Sequence, residues 1–213
     1  MNIFNSLGSN YNFKFVIKSL FTIGDTNNSK ELTSFLEEKY SGSAMLFYKG
    51  REALSMALKI MHLPQGSEIA INGFTCVAVF NAIKVAGYNP VCLDLTKKGG
   101  VNFTPETLEK TIKNNKKIKA VIIQNTLGYP CDIEEIQSIC KKNNLILVED
   151  LAHCVGTKYL NGKEAGTMGD FVCLSFSQDK IIDAITGGAL ITHNKVFLNK
   201  ENLLIVEKWS VIE

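Results

Sequence analysis

The chain has 213 residues, 46% hydrophobic and 21% charged, a composition that can bury a sizeable core within one large domain. A formal net charge of +2, with lysines concentrated only from Lys113 to Lys119, provides no basic surface for nucleic acid. Six scattered cysteines without a C-x-x-C pair and three dispersed histidines (His62, His153, His193) argue against a disulfide framework or a metal site and suit thiols in a reducing cytosol.

Phe13 to Phe21 is apolar but short and broken by Lys14 and Lys18, and no small-residue cleavage pattern follows it. It fits neither a signal peptide nor a membrane span, so a surface or dimer-contact segment in a soluble cytoplasmic protein is expected. Residues 1–45 read as a lead-in, with a polar cluster at Asp25-Thr26-Asn27-Asn28-Ser29 and a helix from Ser29 to Tyr40. Residues 46–213 then form the main domain. Phe47-Tyr48-Lys49-Gly50-Arg51-Glu52 opens a stronger helix, on which Ala53, Leu54, Met56, Ala57, Leu58, Ile60 and Met61 recur at the helical period until Pro64-Gln65-Gly66. Its start, Gly50-Arg51-Glu52, is a candidate phosphate site, because a helix N-terminus offers unpaired N–H groups and a small residue admits an anion. The plainer alternative is a helix start with an exposed Arg-Glu pair.

Glu68 to Ile71 reads as a strand, followed by the loop Asn72-Gly73-Phe74-Thr75-Cys76, a helix through Val85 and the strand Val91 to Asp94. This alternation is the signature of a parallel α/β sheet. Thr104 and Pro105 mark a further helix as N-cap and first helical residue, although Thr107 stands where a capping box has glutamate or glutamine. Ala120 to Gln124 is a buried strand, and Asp132 to Asn143 an amphipathic helix with Ile133, Ile136, Ile139 and Cys140 on one side.

The run Leu145-Ile146-Leu147-Val148 stops at Glu149-Asp150, and Phe171-Val172-Cys173-Leu174 leads through Ser175 to Lys180. Ligands of open α/β sheets lie beyond the carboxyl ends of the strands, where Asp150 and Lys180 both fall. A carboxylate with a lysine is what pyridoxal phosphate (PLP) chemistry requires: the amine forms the Schiff base and the acid keeps the pyridine nitrogen protonated. A solvated loop lysine has the same spacing. His153 fits a cofactor contact and a hydrogen-bonded packing histidine equally, and Ser175 fits a strand-end hydroxyl satisfying backbone. Gly187-Gly188 lets the chain fold closely behind this site.

The series Glu149-Asp150-x-Ala152-His153-x-x-Gly156, Gly162, Gly166, Gly169-Asp170, Ser175-Phe176-x-x-x-Lys180 and Gly187-Gly188 resembles the DegT/StrS nucleotide-sugar aminotransferases, from about Phe47 to Thr192. The resemblance implies a three-layer α/β/α large domain of the PLP-dependent transferases (fold type I) with a mainly parallel sheet. It implies PLP held at Gly50, Arg51 and Glu52, with Asp150 on the ring nitrogen, His153 at the ring or its hydroxyl, Ser175 near the phosphate and Lys180 as the catalytic lysine. Family dehydratases carry histidine in place of that lysine, so Lys180 favours transamination. The implied substrates are a nucleotide-linked keto sugar and an amino-acid donor, glutamate, in a homodimer. Cys76 occupies the position of the family's ring-stacking aromatic, and Phe74, two residues earlier, commonly has the core as its destination. Family members continue through the rest of the large domain and a smaller C-terminal domain. A truncated, non-catalytic PLP-fold protein is therefore the alternative. An α/β nucleotide-binding domain is a third reading, though neither G-x-G-x-x-G nor G-x-x-x-x-G-K-[ST] occurs.

Overall fold

The computed structural model describes residues 11, 13–21, 26–95 and 100–198. Residues 1–10, 12 and 22–25 of the expected lead-in, and residues 96–99 and 199–213 of the expected main domain, lie outside the described residues. In chain order the elements are helices α1 (Phe13–Leu20) and α2 (Thr26–Tyr40), strand β1 (Ser43–Phe47), helix α3 (Gly50–Ile60), strand β2 (Glu68–Asn72), helix α4 (Val77–Val85), strand β3 (Asn89–Leu93), helix α5 (Pro105–Asn114), strand β4 (Ile118–Ile123), helix α6 (Ile133–Lys142) and strands β5 (Ile146–Asp150), β6 (Phe171–Ser175) and β7 (Gly188–Thr192).

The strands form one seven-stranded sheet in the order β1-β7-β6-β5-β4-β2-β3. All neighbours are parallel except β7, which runs antiparallel to both β1 and β6. Parallel neighbours need a crossover, usually through a helix; the link from β6 to β7 has no helix, and the strand returns antiparallel.

Side chains alternate through the sheet into two apolar layers. Val121 and Ile123, Leu147, Val172 and Leu174, and Ala189 and Ile191 face α2, α5 and α6, whose Leu36, Tyr40, Leu108, Ile112, Ile136 and Cys140 pack there. Ala120 and Ile122, Val148, Phe171 and Cys173, and Leu190 face α3 and α4, with Met56, Leu58, Ile60, Val79 and Ile83 against them. Burial on both faces explains why β4 to β6 read as continuous apolar runs, and the expected α/β/α architecture is observed.

Two strands were not expected from sequence. β1 lies at a sheet edge with all five residues half-buried, so its run merges with the helix that follows. The expected boundary between residues 45 and 46 falls inside β1, and α2, assigned to the lead-in, contributes Leu36 and Tyr40 to the core. β7 is buried throughout but begins with a glycine pair. The segment from Phe13 to Leu20 is helical and leaves Phe13 and Leu20 exposed.

Candidate functional site

The alternation of β5 sets the site. Glu149 and Asp150 are sequence neighbours, so they point to opposite faces of the sheet. Glu149, wholly buried, accepts from the Tyr159 hydroxyl and the Gly166 N–H on one oxygen (each 2.7 Å), and from the Met168 and Gly169 N–H groups on the other (2.7 and 2.5 Å). It fastens the long loop between β5 and β6 to the sheet. Asp150, also buried, turns to the other face, where a cavity of about 340 Å³ opens between the carboxyl ends of β5 and β6 and the start of α3.

Seven of the eight sequence-predicted residues line that cavity: Gly50, Arg51, Cys76, Asp150, His153, Ser175 and Lys180. The Asp150 carboxylate accepts from the Ala152 N–H on Oδ1 and from Gln124 Nε2 on Oδ2, both at 3.1 Å. Burial pushes its carboxyl above the ordinary range, against the pull of these two bonds, His153 and Lys180. Lys180 Nζ stands 3.2 Å from His153 Nε2 and 2.8 Å from Asp179 Oδ2, with only 13% of its side chain exposed. Burial first, then the Lys180 ammonium, lowers the affinity of His153 for a proton, and the Lys180 ammonium holds Asp179 below the usual carboxylate range. A neutral imidazole beside the amine is the favoured state.

The start of α3 forms the opposite wall. Its approach is possible only because two glycines meet there: a Cβ on Gly188 would lie 2.5 Å from the Gly50 nitrogen, and one on Gly50 would lie 2.5 Å from the Ser175 Cβ. The Gly187 N–H donates to the Tyr48 carbonyl at 2.7 Å, fastening the segment before α3 to the start of β7. The hydroxyls of Ser175 and Ser177 lie 3.1 Å apart beside it. Glu52 departs from the expected grouping. Its carboxylate turns back to accept from the Lys49 N–H at 3.1 Å, which caps the helix and keeps its charge out of the cavity wall.

Cys76 sits at the N-cap of α4, exposed, its sulfur accepting from the Ala78 N–H, and it brings no ring to the cavity. Phe74 is not in the core. It is 52% exposed and lines a neighbouring recess of about 200 Å³ that it shares with Asp150 and His153. Sequence reasoning missed Gln124, Ser177 and Asp179, all in the cavity wall. Gln124 follows the apolar run of β4 just as Glu149-Asp150 follows the apolar run that opens β5, a signal that was present but attached to an uncharged residue.

A model of the DegT/DnrJ/EryC1/StrS aminotransferase family matches residues 15–207. Among curated relatives, GDP-perosamine synthase of Escherichia coli O157:H7 is 32% identical over 166 residues, 78% of this chain and 44% of that protein. The solved structure of Helicobacter pylori PseC, an aminotransferase involved in the biosynthesis of pseudaminic acid, superposes with a TM-score of 0.71 at 26% identity, over 81% of this chain and 46% of that one. Spr1654 of Streptococcus pneumoniae, solved in a PLP form, shares the fold with a TM-score of 0.81 at 20% identity, over 94% of this chain and 55% of that one. The chain thus spans about half the length of these relatives.

Proposed function

Because the chain belongs to the DegT/DnrJ/EryC1/StrS aminotransferase family, we propose that it carries the cofactor site of a PLP-dependent transaminase that aminates a nucleotide-linked keto sugar. The amino donor in this reading is glutamate, and the working form is a cytoplasmic homodimer. None of the described helices is long and apolar enough to cross a membrane.

The observation that carries the reading is the convergence of Asp150, His153 and Lys180, from two separate strand ends, on one cavity that also receives the start of α3. The residues fit PLP. A buried carboxylate has acceptor capacity left beyond its two hydrogen bonds and suits a protonated ring nitrogen. A primary amine lies in the same cavity, next to an imidazole that prefers to be neutral. The N–H groups at the start of α3, with the Ser175 and Ser177 hydroxyls, suit a phosphate. When bound, PLP supplies an electron sink for moving an amino group between donor and acceptor. In that arrangement Asp150 holds the ring proton, Lys180 Nζ is the nucleophile and proton carrier, His153 orients Lys180, and Gly50, Arg51 and Ser175 position the phosphate. Glu52 acts on this wall only through the Lys49 cap.

The test is the visible absorbance of the purified chain mixed with PLP, before and after borohydride reduction, followed by peptide mapping. Label on Lys180, absent from Lys180→Ala, is expected; label spread over surface lysines, or no visible band, would refute the site. Cys76, in place of a ring, favours a second reading, a PLP-fold protein that binds without turnover. Labelled Lys180 with no amino transfer, in this chain and in longer versions of it, would select that reading.

A further inference from the structure

We propose that Gln124 is a positioning residue for Asp150, with Thr75 anchoring the far end of its amide. The inference rests on the reading above, in which Asp150 meets the ring nitrogen of PLP. Ile123 of β4 pairs with Glu149 of β5, so the next residues along, Gln124 and Asp150, are brought side by side at the carboxyl edge of the sheet. Gln124 is buried, Nε2 donates to Asp150 Oδ2 at 3.1 Å, and Oε1 accepts from the Thr75 hydroxyl. A carboxylate only accepts, so the NH2 end must face Asp150, and the Thr75 hydroxyl, able to donate or accept, donates to the oxygen at the other end. Turning the amide over would place its oxygen against the carboxylate.

The consequence is directional. The Gln124 N–H and the Ala152 N–H occupy one lone pair on each Asp150 oxygen and favour the ionised form, opposing the desolvation that favours the acid. They also hold the carboxylate plane, so its remaining lone pairs keep one heading into the cavity. Three elements meet in this chain of bonds: the loop before α4 through Thr75, the end of β4 through Gln124, and the end of β5 through Asp150.

The test compares the full chain with Gln124→Met, which keeps the size and removes the donor, and with Thr75→Val, which leaves the amide in place but removes the anchor at its oxygen. PLP affinity is read by visible absorbance titration, together with the pH midpoint of the spectral change of the bound cofactor and the melting temperature of the unliganded protein. A lost hydrogen bond to a charged group predicts roughly tenfold weaker PLP binding in Gln124→Met. The pH midpoint should fall by about one unit, since a less ionised Asp150 releases the ring proton earlier. Thr75→Val should move both quantities the same way by less, at an unchanged melting temperature. Parental affinity and midpoint in both variants would overturn the inference. Asp150→Asn separates it from its premise: parental PLP binding in that variant would overturn the role of Asp150 itself. Loss of binding there, with normal behaviour in Gln124→Met, would remove Gln124 alone.

Discussion

Replacing Glu149 should destabilise the protein more than replacing any carboxylate in the cavity. Its two oxygens take four hydrogen bonds, three of them from backbone N–H groups that belong to the loop between β5 and β6. In Glu149→Gln either amide orientation sets a donor against a donor. The better one keeps the carbonyl on Met168 and Gly169 and sets the NH2 against the Gly166 N–H, while the Tyr159 hydroxyl can turn to accept. Hydrogen bonds to charged groups are worth ~1.5–3 kcal/mol each and are not additive, so one orphaned N–H and the lost charge come to about 2–3 kcal/mol. Glu149→Ala orphans all the donors and should lose about 4–6 kcal/mol, a large part of a typical domain's stability. Thermal unfolding followed by circular dichroism at neutral pH reads the difference. At roughly 2–4 °C per kcal/mol for a chain of this size, the glutamine variant should melt about 5–10 °C lower and the alanine variant lower still. A glutamine variant melting within about a degree of the parent, or an alanine variant more stable than it, would refute the reasoning.

Asp150→Asn is expected to do the opposite to the unliganded protein. A carboxyl whose folded-state pKa is raised contributes stability below its ordinary pKa and loses it as pH rises through the raised value, so burying this carboxyl opposes folding at neutral pH. The variant should melt at or above the parental temperature while losing PLP binding, and a fall of several degrees would contradict this. For His153 the folded pKa is lowered, the unfolded chain binds more protons, and stability rises with pH through the window that ends near the ordinary value of about 6.5. His153→Gln should flatten that rise in urea midpoints measured from about pH 5 to 7.5, and an unchanged slope would assign it elsewhere. Gly188→Ala places a methyl 2.5 Å from the Gly50 nitrogen, where only backbone movement can relieve it. An overpacking loss of about 2–3 kcal/mol and weaker PLP binding are expected, and a normal melting temperature would show that α3 can shift freely.

The central strands and the two residues at their ends were legible because burial on both faces leaves unbroken apolar runs, and the breaks in those runs mark the edge where ligands bind. Asp150 falls at one such break and Lys180 a few residues beyond another, where a solvated loop lysine has the same spacing, and the motif around them singled the pair out. β1 was not legible, since a half-buried edge strand carries no such contrast with the helix after it. Nor was the separation of Glu149 from Asp150: the pattern gave the pair together, and only the strand's two-residue period assigns one to the loop and the other to the cavity. Glu52 could be placed at the helix start, but its heading depends on a hydrogen bond to Lys49 that no spacing rule supplies. Gln124 was passed over because an amide draws notice only once its neighbours are known.

The glycine contact between the start of α3 and the start of β7 has a consequence for assembly. Gly50 and Gly188 touch across nearly 140 intervening residues, and among the described residues β1 pairs with β7 alone. While the chain is being made, the helix that walls one side of the cavity and the strand before it are synthesised early, yet both wait for β7. Contacts of such long range close slowly, after the β2–β5 portion has had its own neighbours at hand. The edge of the sheet that completes the cavity thus closes after the β2–β5 portion has formed.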